Sequence, residues 1–96
     1  MGIVLGKNNK NNQAEKVLKI LINKNPEYAN AYKCLGVTLI NLKKFEEAKK
    51  VIKKFIQIKP ESDEGYNILG IVLTNTKKFE EAKKVLNHAL KINPNN

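Results

Sequence analysis

The chain contains no arginine and no tryptophan, and its 96 residues include one cysteine, one histidine, one methionine and three prolines. Each scarcity removes a class of function. Without arginine there is no bidentate fork to grip phosphate or guanine, and without tryptophan the largest stacking surface for unpaired bases is missing. The lone Cys34 makes no internal disulfide, so a reducing, cytoplasmic setting is the expectation. The lone His88 stands among Asn87, Ala89 and Lys91, a surface setting. No carboxylate pair, nucleophile with a base, or Cys/His metal spacing can be assembled, so no enzyme activity, metal or cofactor is expected. No apolar run approaches the roughly 18–20 residues needed to span a bilayer. Residues 1–5 are apolar but too few for the core of a signal peptide.

What the chain does have is lysine, 18 residues of it, and a period. Pro26, Pro60 and Pro94 are spaced 34 residues apart, and residues 29–62 laid over 63–96 agree at 16 of 34 positions without a gap. The longest shared block is Lys43–Val51 against Lys77–Val85. A fixed period of about 20–50 residues marks a stacked repeat, in which each unit needs neighbours to bury its apolar face.

Within each repeat the apolar spacing is helical. Tyr32, Leu35, Gly36 and Leu39 lie at offsets of 3, 4 and 7, and Tyr66, Leu69, Gly70 and Leu73 repeat the pattern. A second set, from Phe45 through Ala48, Val51 and Ile52 to Phe55 and Ile56, has its counterpart in Phe79 through Leu90. The polar stretches 41–44 and 75–78 predict short turns, so each repeat reads as two antiparallel helices. Glycine in mid-helix costs about 1 kcal/mol against alanine. Gly36 and Gly70 therefore imply a close approach, expected from Ala48 and Ala82. Asn25-Pro26-Glu27 reads as a helix start capped by Asn25, and Lys59-Pro60-Glu61 has the same form without a good cap.

The set Tyr32, Leu35, Gly36, Leu39, Phe45, Ala48, Phe55, Pro60, with its second copy Tyr66, Leu69, Gly70, Leu73, Phe79, Ala82, Ala89, Pro94, resembles the tetratricopeptide repeat. The resemblance covers the whole chain. It implies an all-α fold of antiparallel helix pairs stacked as a right-handed solenoid, with full repeats at 29–62 and 63–96 and a partial one at 1–28. In that partial unit Gly2–Leu5 aligns with Gly36–Leu39 and Ala14 with Ala48. The expectation is an opening helix cut to about residues 1–6, a polar turn over 7–13, and a chain that is either a piece of a longer array or one with a decayed first repeat. At the other end Val85, Leu86, Ala89 and Leu90 should be partly uncovered, because family members usually add a covering helix. Self-association through that end follows as an expectation, with a neighbour's residues 1–5 acting as the missing helix.

In this family the first helix of each pair lines a concave groove that usually holds a partner's peptide or helix. The resemblance places Asn30, Lys33, Cys34, Val37, Ile40 and Asn41 there from one repeat, and Glu64, Asn67, Ile68, Ile71, Thr74 and Asn75 from the next, with Ile3 and Lys7 from the partial unit. Cys34 is expected to be buried or half-buried. One recognised subtype, a clamp for C-terminal carboxylates, wants polar or cationic residues where Val37, Ile68 and Ile71 stand, and only Lys33 fits it. The net charge of +9 admits weak, charge-driven nucleic-acid binding. Against specific recognition, the lysines of the outer helices sit beside Glu46, Glu47, Glu80 and Glu81, with Glu46–Lys50 and Glu80–Lys84 in the favourable i,i+4 order of a solvated face. The sequence thus predicts a protein-interaction module or scaffold with a protein or peptide partner.

Overall fold

Residues 29–58 and 63–92 each fold into two helices joined by a three-residue turn, as the period predicts. The computed structural model describes residues 2–94, with side chains from Lys10 onward. Its elements are α1 (Gly2–Lys24), α2 (Ala29–Asn41), α3 (Phe45–Ile58), α4 (Asp63–Asn75) and α5 (Phe79–Ile92), and no strand occurs among the described residues. Each helix packs on its chain neighbour and α2 also meets α4, so α2 and α4 are the inner helices and α3 and α5 the outer ones.

The turns inside the pairs close by a motif that the residue types conceal. Lys43 and Lys77 adopt left-handed backbone, φ 62° and 63°. The Lys43 N–H donates to the Ile40 carbonyl at 2.9 Å and the Lys44 N–H to the Leu39 carbonyl at 2.8 Å; Lys77 and Lys78 repeat this with Thr74 and Leu73. This is the Schellman arrangement, which satisfies carbonyls at a helix end and usually employs glycine. Lysine bears a left-handed cost of about 1–2 kcal/mol there, offset by those bonds and by Phe45 packing into the core that follows.

Between the pairs the punctuation differs from expectation. Asn25 does not cap α2: its N–H donates to Leu21, finishing α1, and its carbonyl accepts from Tyr28 at 3.0 Å. Tyr28 and Ser62 occupy the N-cap positions of α2 and α4, neither with a side-chain cap bond. Proline explains the shift, because it steers the residue before it out of the helical region. Pro26 and Pro60 therefore shape the exit from one helix instead of the start of the next. The Tyr32 hydroxyl donates to the Pro26 carbonyl at 2.7 Å and holds that exit against α2.

The partial repeat also departs from the reading. No turn interrupts residues 7–13, and α1 runs unbroken for 23 residues, about 35 Å. The counterpart of the turn-following Phe45 is Asn11, which brings no apolar side chain to fold back on a partner helix. Continuing the i→i−4 ladder satisfies that backbone instead. On the described part of α1, Leu18 and Ile22 face the core, and Val17 and Ile20 are exposed.

Two linked clusters make the core. Leu35, Leu39, Ala48 and Val72 form one; Ala29, Tyr32, Ile52, Phe55, Leu69, Leu73 and Ala82 form the other. Of the residues expected to be uncovered on α5, Leu90 is exposed and Val85 and Leu86 are half-buried, whereas Ala89 is buried. The outer-helix charges pair differently too: Glu46 meets Lys49 at 3.8 Å, one residue short of the expected Lys50.

The glycines have other neighbours than Ala48 and Ala82. A Cβ on Gly36 would stand 3.4 Å from Ile52 Cδ1, ordinary contact, whereas on Gly70 it would stand 2.5 Å from Leu86 Cδ2 and 2.7 Å from Leu86 Cγ. Gly65, which no sequence argument singled out, is also far tighter than Gly36: its Cβ would meet Ile56 Cγ1 at 2.8 Å and the Phe55 ring at 2.9 Å. Urea unfolding should therefore separate the two sites. Gly36→Ala gains about 0.5–1 kcal/mol from helix propensity, and Gly65→Ala loses about 1–3 kcal/mol by overpacking; shifts of one sign at both sites would contradict this packing.

Glu15, buried on α1, ties the first helix to the start of α3 in the α2–α3 pair. It meets Lys19 at 2.8 Å and Lys44 at 3.0 Å, and Lys19 reaches on to Glu47 at 3.6 Å. The hydrogen bonds from Lys19 and then Lys44 hold the Glu15 carboxyl below its ordinary value of 4.5. The unfolded chain thus binds this proton more tightly, so the stabilisation is complete above the unfolded pKa and is lost as pH falls through the folded one. Between pH 6 and 3 the melting temperature of the native chain should fall more steeply than that of Glu15→Gln, whereas parallel slopes would show that the cluster carries no folding energy.

Candidate peptide-binding groove

The inner helices carry the candidate groove: the outer helices turn Ala48, Ile52 and Phe55, and Ala82 and Ala89, into the core behind them. On α2 and α4 the stripe from Tyr32 to Leu39, and from Leu69 to Leu73, turns inward. What remains lies on the other side, at positions related by the 34-residue period. Val37 and Ile71 are one such pair, and they are 42% and 49% exposed.

Between the two helices lies a recess of about 370 Å³ lined by Lys33, Cys34, Val37, Thr38, Glu64 and Ile68. Five of these six are among the residues predicted from the resemblance. Thr38 is the addition: it is the counterpart of buried Val72, and its hydroxyl donates to the Cys34 carbonyl at 2.9 Å. Nothing in its residue type signalled a place in the recess. A smaller neighbouring hollow of about 240 Å³ brings Asn30 together with Lys33, Glu64, Phe55 and Lys59. Larger hollows, of about 460 Å³ and 400 Å³, sit on the loops 25–28 and 58–62 and contain none of the predicted groove residues.

Lys33 and Glu64 form the wall shared by the recess and the smaller hollow. The Lys33 ammonium donates to Glu64 Oε2 at 3.0 Å, spanning α2 and α4. Other polar groups on these helices are engaged locally. The Thr74 hydroxyl donates to the Gly70 carbonyl and the Asn75 amide to the Ile71 carbonyl, both at 2.8 Å. Asn41, Thr74 and Asn75 are exposed, and Ile40 and Asn67 half-buried, all outside the recess. The side chains of Ile3 and Lys7 lie outside the described residues. Cys34 is exposed, contrary to the expectation from its residue type, because it lines the open recess on the side of α2 turned away from the core.

The arrangement offers apolar contact with an ion pair at its edge. His88, on the outer helix α5, rests edge-on against Tyr66 with ring centroids 4.4 Å apart. Among the described residues no group of three or more His, Cys, Asp or Glu could hold a metal, and no helix is long and apolar enough to cross a membrane.

Comparison with known proteins fits this geometry. A family described as the N-terminal TPR repeats region of Psidin matches residues 5–96. The chain belongs to this tetratricopeptide-repeat (TPR) family. Among solved structures, MamA MSR-1 superposes with a TM-score of 0.86 at 25% identity, over 88% of this chain and 49% of that one. The Arabidopsis OM64 TPR domain gives a TM-score of 0.87 at 23% identity, over 99% and 78% of the two chains. The first TPR of Spaghetti (RPAP3), bound to the HSP90 peptide SRMEEVD, gives 0.88 at 23% identity, over 99% and 75%. The last two likenesses speak for the TPR fold alone. The chain spans about half the length of MamA MSR-1. No curated protein matches the sequence significantly.

Proposed function

We propose that this TPR chain is a protein-interaction module with no chemistry of its own, and that it takes a segment of a partner protein along α2 and α4. The observation that carries this reading is the pair Val37 and Ile71. Large aliphatic side chains stand half-exposed at the same register of two successive inner helices, beside a recess with an apolar floor. Leaving such side chains in water forfeits about 25 cal/mol per Å² of apolar surface. A partner that covers both in register recovers it.

The Spaghetti TPR, which shares the fold, holds a peptide. In this chain the occupant is of another kind from a carboxylate tail. Lys33 is already matched by Glu64, and Val37, Ile68 and Ile71 are aliphatic where a carboxylate clamp needs polar or cationic groups. A segment anchored by aliphatic side chains fits better. Charge-driven nucleic-acid binding has less support: Lys19, Lys44 and Lys49 are held by Glu15, Glu46 and Glu47, and no arginine is present.

Affinity capture from lysate of the source organism at about 0.5 M salt, where exposed charges are screened, tests the proposal. The native chain should retain a protein that Val37→Glu/Ile71→Glu loses. Both sites are exposed, so the variant should keep the native melting temperature. Equal capture by both chains would place binding elsewhere, and loss of capture by salt in the native chain would favour the electrostatic alternative.

A further inference from the structure

The outer helices divide their charge along their length. In α3 and α5 the carboxylates, Glu46, Glu47, Glu80 and Glu81, all lie in the first turn. From Lys49 to the end of α3, and from Lys83 to the end of α5, lysine occurs and no carboxylate does. α1 continues the pattern. The ion pairs Glu15–Lys44 and Lys19–Glu47 set it beside the start of α3, and from Lys16 to Lys24 it again carries lysine without carboxylate. The 34-residue period puts Lys16, Lys50 and Lys84 at one register of these three helices. All three are exposed, and among the described residues none has an ion-pair partner. Lys53 and Lys54, one turn beyond Lys50, and Lys91, two turns beyond Lys84, are exposed and unpaired in the same way. The inner helices differ: their one lysine, Lys33, is matched by Glu64.

α3 shows that this face belongs to the array and not to an end of the chain. Helices precede and follow it, yet Lys50, Lys53 and Lys54 stay open to solvent, because its covered side is the opposite one, where Ala48, Ile52 and Phe55 are buried. Like charges held side by side repel and oppose the compact state. A partner of opposite charge relieves that repulsion along the whole column. Spacing selects its form. Side-by-side helices stand about 8–10 Å apart, so the column presents an ammonium at roughly that interval. A helix advances about 10.5 Å in seven residues, so carboxylates at i, i+7 and i+14 meet the three lysines in turn. An extended chain repeats a face about every 6.7 Å and is out of step by the second lysine. Phosphate is the poorer match, because every cation on this face is a lysine and the planar fork of arginine is absent.

We propose that the lysine column is a second docking surface, which takes an acidic helical segment of a partner protein across α1, α3 and α5. It lies on the other side of the helix pairs from the recess between α2 and α4, so the two surfaces are occupied independently. Its exposed ion pairs are screened by salt, so the complex forms readily at low ionic strength and weakens as salt is added.

Fluorescence anisotropy of a labelled probe at low salt tests this. The probe is an alanine- and glutamine-based helix with glutamate at every seventh residue, and its control is a shuffled peptide of the same composition. The native chain should favour the patterned peptide, and Lys16→Gln/Lys50→Gln/Lys84→Gln should weaken its binding about tenfold, three exposed ion pairs together. Lys10→Gln/Lys59→Gln/Lys77→Gln removes the same charge elsewhere and should weaken it less than about threefold. All six lysines are exposed, so both variants should keep the native helical circular dichroism. Val37→Asn/Ile71→Asn, which leaves the charge unchanged, should bind the peptide like the native chain. Equal loss in the two lysine variants would show a response to net charge alone, and equal affinity for the two peptides would show that register counts for nothing. A short DNA duplex that binds more tightly through the same three lysines would assign the face to nucleic acid, and loss of binding in the groove variant would move the peptide to the groove. Each of these four results would overturn the proposal.

Discussion

Everything in this molecule depends on how closely α4 can lie on α3. With no side chain on Gly65, its Cα sits directly over Phe55 and Ile56, whose atoms stand where a Cβ would need to be. Phe55 is thereby buried in the cluster that also holds Tyr32 and Ile52 of its own repeat and Leu69, Leu73 and Ala82 of the next. This aromatic ring is a central joint between the two helix pairs, beside Val72 of α4, which packs with Leu35, Leu39 and Ala48. Because interiors pack at crystalline density, a contact of this kind fixes the spacing of the pairs and not merely their association. The spacing in turn brings Lys33 and Glu64 within 3.0 Å across α2 and α4, and it sets the width of the recess between them.

The same economy explains why the repeat tolerates irregular residues. A left-handed lysine at each intra-pair turn is costly taken alone. Each is held by two backbone hydrogen bonds and followed at once by the phenylalanine that opens the outer helix. The turn geometry is thus imposed by the helices it joins. At the inter-pair loops, by contrast, proline sets the exit and the tyrosine hydroxyl of α2 secures it.

The period made the two full helix pairs legible, because 34-residue spacing and helical offsets both reflect side chains that point to one core. The resemblance to the tetratricopeptide repeat pointed to Val37 and Ile71 as groove candidates, and the 34-residue spacing sets them at the same register of two helices. Three features were not legible. Gly65 replaces Ala31, one small residue for another, and only the distance to Phe55 reveals that the difference matters. Asn25 has the residue type of a cap, but the proline after it moves the helix start to Ala29. The run of asparagine and lysine over 7–13 has the composition of a loop, yet without an apolar residue at Asn11 to fold back it stays helical within α1. In each case composition described a preference, and packing or its absence decided the outcome. Cys34 follows the same rule: its type favours burial, and its position on the inner helix exposes it.

The most direct test of this account is the stability of Phe55→Ala, measured by urea unfolding with helical circular dichroism as the readout. If the ring is the joint between the pairs, truncation costs about 3–5 kcal/mol, a large part of the total for a chain of this size. A loss below about 1 kcal/mol, with the unfolding slope unchanged, would show that the pairs are held together elsewhere and would contradict the central claim.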